Sequence, residues 1–198
     1  MRLIWVRHGE TEGNRQRRYV GHWDDPLNER GRQQARKVAE RLSREPVSAI
    51  YTSDLCRAEE TASVIAAHHP SVPVQVTPLL RECAFGEWEG RTYDEIAANG
   101  EMHLQRWYDD PWCVSPPGGE CLQEMEQRIS LWLEALAVRH GSGDTVVAVA
   151  HTGPIRLFHA KWVKRNPREL WDFSLPHGEV WAVRRRGDGW EVEPWNPS

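Results

Sequence analysis

Two apolar runs, far apart in the chain, each stop at a histidine. Leu3-Ile4-Trp5-Val6 leads into Arg7-His8-Gly9, and Thr145-Val146-Val147-Ala148-Val149-Ala150 leads into His151-Thr152-Gly153. Short continuous apolar runs read as strands buried on both faces, the kind a parallel sheet uses. Open α/β sheets bind ligands just outside the carboxyl ends of their strands. Both histidines therefore stand where a site belongs. If the two strands are neighbours, His8 and His151 face each other across one pocket. The glycine close behind each histidine lets a ligand or another backbone approach.

The rest of the chain alternates strand and helix patterns. Residues 10–27 read as a polar loop on the same edge of the sheet. Asn28 can cap a helix whose apolar stripe is Ala35, Val38, Ala39 and Leu42. Val47 to Thr52 reads as a second strand. Ser53 or Asp54 is expected to cap a helix running to about His68, with Arg57 in its first turn and so at the same edge. Val74 to Val76 reads as a third strand. Thr92 and Glu95 form a capping box for a short helix that Gly100 interrupts, and a second short helix holds Leu104, Trp107 and Tyr108. Glu120 to about His140 carries the clearest helical stripe, Leu122, Met125, Ile129, Trp132, Leu133 and Leu136. A helix from Thr152 to Val163, a short one opened by Asn166-Pro167 and a hairpin over residues 180–185 and 190–193 complete the chain. The pattern predicts an α/β fold, a three-layer α/β/α sandwich with a mostly parallel central sheet. It predicts one domain over residues 1–198, with 91–119 as a helical and loop excursion over the active site.

Composition narrows the function. Apolar residues make up 39% of 198, enough to fill a core, so wholesale disorder is not expected. A net charge of −4 and a pI near 6.1 argue against nucleic acid as a partner. No apolar stretch approaches the roughly 18 residues a membrane span needs, and the N-terminus reads as strand rather than signal peptide. Cys56, Cys83, Cys113 and Cys121 show no CxxC spacing, so neither zinc nor a disulfide framework is indicated. The reading is a cytoplasmic protein with reduced thiols. Most of the eleven tryptophans are expected in packing, some in an apolar part of a substrate pocket.

Two arginines and two histidines at one sheet edge need a reason. Arginine is the planar, permanently charged binder of phosphate. A neutral imidazole can attack phosphorus and carry the phosphoryl group, while the other cationic groups neutralise the equatorial oxygens. The leaving alkoxide then needs a proton, which a carboxylic acid near the mouth can supply.

These residues fall in four ordered blocks. They are Arg7-His8-Gly9-Glu10-Thr11 with Asn14, then Thr52-Ser53-Asp54-Leu55-Cys56-Arg57-Ala58-Glu59-Glu60-Thr61-Ala62, then Leu80-Arg81-Glu82 with Phe85-Gly86-Glu87-Trp88-Glu89-Gly90, then Val149-Ala150-His151-Thr152-Gly153. Together they resemble the signature of the histidine phosphatase superfamily, the phosphoglycerate-mutase-like group. That resemblance implies His8 as the phosphorylated nucleophile, Arg7, Arg57 and His151 as holders of the phosphoryl group, and Glu82 as the proton donor. It adds Asn14 and Thr152 as phosphate-pocket contacts and implies no metal and no cofactor. Cys83 departs from the family pattern, where a larger apolar residue is expected after the acid. The remaining histidines, His22 and His177 among them, match no block and are read as structural or surface residues.

Within that family the stretch from Arg91 to Ser115 is short. A less enclosed site admits water to a phosphohistidine, which favours a phosphatase over a cofactor-dependent mutase. The third block and Pro116-Pro117-Gly118-Gly119-Glu120 look most like α-ribazole phosphatases of cobalamin assembly, although broad-range phosphatases share the same blocks. The expected partner is a small-molecule phosphomonoester, with no nucleic acid and no membrane; a homodimer is left open. A non-catalytic phosphate-binding protein is the reading from another class, and the presence of all five chemical residues speaks against it.

Overall fold

The computed structural model describes residues 1–195, without the side chains of 99–101. One sheet organises it. Its strands are β1 (Arg2–Arg7), β2 (Val47–Thr52), β3 (Val74–Val76), β4 (Thr145–Ala150), β5 (Val180–Arg186) and β6 (Gly189–Glu193), and the spatial order is β3-β2-β4-β1-β5-β6. The first four run parallel, and β5 joins β1 antiparallel before turning back into β6. The helices are α1 (Glu12–Arg15), α2 (Glu29–Leu42), α3 (Cys56–Ala66), α4 (Tyr93–Asp109), α5 (Leu122–Arg139) and α6 (Thr152–Phe158).

Strand alternation sends β1 into two cores. Leu3 and Trp5 pack with Met125, Ile129 and Trp132 of α5 and Ile155 and Phe158 of α6. Ile4 and Val6 pack on the other face with Val38, Ala39 and Leu42 of α2 and Ala58, Ala62 and Ile65 of α3. Each face of the sheet is thus covered by a helical layer, which makes the expected sandwich. A satellite cluster of Trp88, Ile96, Leu104 and Trp107 sits under α4. No helix among the described residues is long and apolar enough to cross a membrane.

Four local expectations change. The cap of α3 is supplied from a distant loop: Asp24 Oδ1 accepts the Cys56 amide at 2.8 Å, and Leu55 holds the cap position without a side-chain bond. Asp54 is unavailable because its carboxylate takes a bidentate pair from Arg81 at 2.7 and 2.6 Å, and Ser53 Oγ accepts only the Leu55 amide at 3.3 Å. The helix stops at Ala66 rather than near His68. Gly100 does not break α4, which is one helix; a helical glycine costs only about 1 kcal/mol, less than burying Ile96, Leu104 and Trp107 returns. Finally, residues 12–15 of the supposed loop form α1, closed by a capping box between Thr11 and Asn14.

Candidate active site

β1 and β4 are neighbours in register, Arg7 opposite Ala150, so the two histidines that follow are side by side. The His8 amide bonds to the Ala150 carbonyl at 3.1 Å, and the imidazole centroids lie 4.9 Å apart. His8 Nδ1 is 2.6 Å from the Gly9 carbonyl. A carbonyl only accepts, so Nδ1 carries the proton and Nε2 keeps its lone pair. Burial, then the charge of Arg57, the nearby His177 and Arg7, holds the His8 pKa well below the usual imidazole value. His8 is therefore neutral at physiological pH, as a nucleophile must be. The backbone at Gly9 runs tight against a second chain segment: a Cβ there would lie 2.3 Å from the Gly31 carbonyl oxygen.

Arg57 is fully buried on α3 and donates to the carbonyls of Gly21 at 2.6 Å, Trp23 at 3.0 Å and Val20 at 3.4 Å. Asp24 in that same loop caps α3, so loop and helix fix the guanidinium from both sides. Arg7 donates to the Leu175 carbonyl at 2.8 Å and to His177 Nε2 at 2.7 Å, and burial brings its pKa down to about 10, still charged at neutral pH. The Nε atoms of Arg7 and Arg57 and both ring nitrogens of His151 are buried and have no hydrogen-bond partner among the described residues. Leaving such donors unsatisfied costs about 1–3 kcal/mol each. Their gathering around His8 suits an oxyanion, which would engage them.

Glu82 is buried, and its carboxylate oxygens accept the Gly153 amide at 2.9 and 3.2 Å and the Cys83 amide at 2.9 Å. Its main chain is pinned as well: Arg128 and His22 Nε2 both donate to the Glu82 carbonyl, each at 3.1 Å. Arg128 is itself held by Glu120, whose Oε1 also takes the Ala84 amide. Gly153 is what lets the carboxylate reach the start of α6. A Cβ at that position would lie 2.1 Å from Glu82 Oε1. Gly153→Ala is therefore expected to push the carboxylate aside and lower kcat on an alkyl phosphate by about 10²-fold, the lower end for losing an acid catalyst. Thermal unfolding measured beside kcat separates this from general destabilisation.

Two cavities meet at Glu82. The larger, about 370 Å³, is bordered by Arg7, Asn14, Arg17, Tyr19, Tyr93, Tyr108 and His177. Asn14 Oδ1 is engaged by the Thr11 amide at 3.2 Å, which leaves its Nδ2 as the donor for a ligand. The smaller, about 120 Å³, is apolar and is bordered by Phe85, Trp107, Thr152 and Trp171. The structure thus brings Arg7, His8, Arg57, Glu82 and His151 together, places Asn14 on the arginine-lined cavity, and places Thr152 on the apolar one. Cys83 is buried with its thiol pushed up by burial and then by Glu82, which removes the reactivity an exposed thiol would have.

Sequence reading missed His177, His22 and Arg128. His177 stands in Leu175-Pro176-His177-Gly178 just before β5, and β5 is antiparallel to β1, so its start lies at the carboxyl edge of β1. The terminal hairpin pattern was the available signal. Arg7 can only donate, so His177 Nε2 must accept and the ring must be neutral. Burial and then Arg7 lower its pKa to about 3.

The burial of these rings predicts an acid-labile fold. His8, His151 and His177 all titrate lower folded than unfolded, so the unfolded chain binds more protons below about pH 6.5. Stability should be full above that pH and fall below it, by up to about 1.4 kcal/mol per pH unit for each histidine. For His177 the fall extends toward pH 3. Melting temperature between pH 7.5 and pH 5 checks this, and His177→Gln, which can still accept from Arg7, should flatten the dependence.

The chain is similar to known proteins in sequence and in fold. The sequence profile of the histidine phosphatase superfamily (branch 1) matches residues 3–198. The phosphoglycerate mutase-like protein 4 of Arabidopsis thaliana is 36% identical over 94% of this chain and 84% of its own length. The phosphoserine phosphatase 1 of Hydrogenobacter thermophilus is 35% identical over 92% of this chain and 86% of its own. The crystal structure of the alpha-ribazole phosphatase from Shigella flexneri superposes with a TM-score of 0.89 at 27% identity, covering 98% of this chain and 95% of that one.

Proposed function

The chain belongs to the histidine phosphatase superfamily, and we propose that its five converging residues carry that family's chemistry in the following roles. The protein is a phosphomonoesterase acting through a phosphohistidine. His8 Nε2 attacks phosphorus in line with the ester oxygen. Arg7 and Arg57, through their Nε donors, and His151 hold the three equatorial oxygens as charge builds on them. Glu82 gives its proton to the departing oxygen. The same carboxylate then takes a proton from a water that attacks the phosphohistidine, which returns His8 and releases phosphate. The observation that carries this reading is the set of buried, unpartnered donors of Arg7, Arg57 and His151 around a histidine whose Nε2 lone pair is freed by the Nδ1–Gly9 bond.

The mutase reading is not favoured. Exposed Tyr93 and Tyr108 edge the larger cavity, and water reaching it there would compete with transfer to a second hydroxyl. The substrate is a small-molecule phosphomonoester, and α-ribazole 5′-phosphate leads because of the likeness to an alpha-ribazole phosphatase. Phosphoserine is the second reading, from the Hydrogenobacter relative. We read residues 1–198 as one domain, cytoplasmic, with 91–119 laid over the site. A phosphate-release screen over phosphomonoesters including α-ribazole phosphate, phosphoserine and 3-phosphoglycerate tests the reading. Release from none of them would reject it.

Charge at the site comes from side chains, so activity should need no added metal. No group of three or more His, Cys, Asp or Glu among the described residues could hold a metal ion. Prolonged chelation is expected to leave the rate unchanged. A large loss restored by Mg²⁺ or Zn²⁺ would contradict the mechanism.

A further inference from the structure

The smaller cavity is bordered by none of Arg7, His8, Arg57 and His151, yet it opens on the acid. Its apolar walls are Phe85, Trp107, Leu122, Met125, Leu170 and Trp171, Thr152 and Arg156 also line it, and Glu82 and Phe85 border both cavities. If Glu82 protonates the departing oxygen, whatever that oxygen is attached to begins at the mouth of the apolar cavity. We infer that this cavity is the leaving-group subsite and that it takes one flat apolar ring, so the preferred esters are those whose alcohol carries an aromatic group. The inference rests on the phosphatase reading and narrows its substrate class.

Size and chemistry agree. The cavity measures about 120 Å³, close to the roughly 150 Å³ of an apolar cavity that accepts benzene. Trp171 forms a flat wall: the Arg156 guanidinium lies over its ring at 5.6 Å, while Arg156 Nε is tied to the Phe173 carbonyl at 2.8 Å. Trp107 meets Trp171 edge-on with centroids 6.3 Å apart. The lining is apolar except at Glu82, Thr152 and Arg156, and Arg156 is already engaged by the Phe173 carbonyl and the Trp171 ring, so burying both the ammonium and the carboxylate of an amino-acid alcohol there would be costly. A ring loses only its hydration there and gains aromatic contacts.

The test compares benzyl phosphate with ethyl phosphate, alcohols of similar leaving ability that differ by the ring. The wild-type protein should show a kcat/KM at least about tenfold higher for the benzyl ester, the value of burying a ring in such a pocket. Trp171 is 48% exposed, so Trp171→Ala should fold. It should cut the benzyl preference by about fivefold and leave the ethyl ester unchanged. Equal efficiency toward both esters in the wild type, or equal losses on both in the variant, would overturn the subsite. Hydrolysis of p-nitrophenyl phosphate serves as the control: activity there with no benzyl preference removes the subsite alone, whereas no activity on any ester removes the phosphatase reading and the subsite with it.

Discussion

His8→Ala is expected to lower turnover by at least about 10⁴-fold, the scale seen when a covalent nucleophile is removed. The reason is geometric. Nδ1 is committed to the Gly9 carbonyl, so Nε2 is the atom with a free lone pair, and burial beside Arg57 and Arg7 keeps it unprotonated. His151, the other histidine at the site, is assigned to holding the phosphoryl group and lacks the Nδ1–carbonyl bond that frees the Nε2 lone pair of His8. His151→Ala should also cripple turnover but leave weak phosphate binding through Arg7 and Arg57. Full activity in His8→Ala would mean that water attacks the ester directly. Steady-state kinetics on p-nitrophenyl phosphate, with inorganic phosphate inhibition as the binding readout, distinguishes the two variants.

The second large effect is expected at Glu82 and should depend on the substrate. Glu82→Gln keeps the shape and can still accept the Gly153 amide through its carbonyl oxygen, but it has no proton to transfer. An alkyl phosphate, whose leaving oxygen is strongly basic, should lose about 10²–10⁴-fold, the usual range for an acid catalyst. An aryl ester such as p-nitrophenyl phosphate departs readily without protonation and should lose much less. Equal losses on the two substrates would mean that Glu82 binds or positions the phosphate instead. Because Gly153→Ala displaces the same carboxylate, its losses should follow the same order.

Much of the fold was legible because it rests on local signals. The continuous apolar runs of β1 and β4 and the stripes of α2 and α5 are written in side-chain periodicity, which survives whatever packs against it. The convergence of Arg7, His8, Arg57 and His151 also followed, once parallel strands put every carboxyl end on one edge. What escaped depends on contacts distant in sequence. Asp24 caps α3 from a loop 32 positions away, and Asp54 is drawn off by Arg81; no local pattern encodes either choice. His177 enters the site only because β5 runs antiparallel to β1. Arg128 buttresses the acid from inside a helix whose apolar stripe reads as ordinary core. Gly100 misled because its local cost is small beside the burial of the tryptophan cluster.

The central claim is that the phosphoryl group passes through His8. Mixing the protein with a phosphoryl-labelled ester, quenching within one turnover in alkali and mapping the labelled peptide tests it directly. The label should be stable to alkali, labile to acid, and located on His8. Label on a serine or another histidine, or turnover with no labelled protein at any quench time, would contradict it.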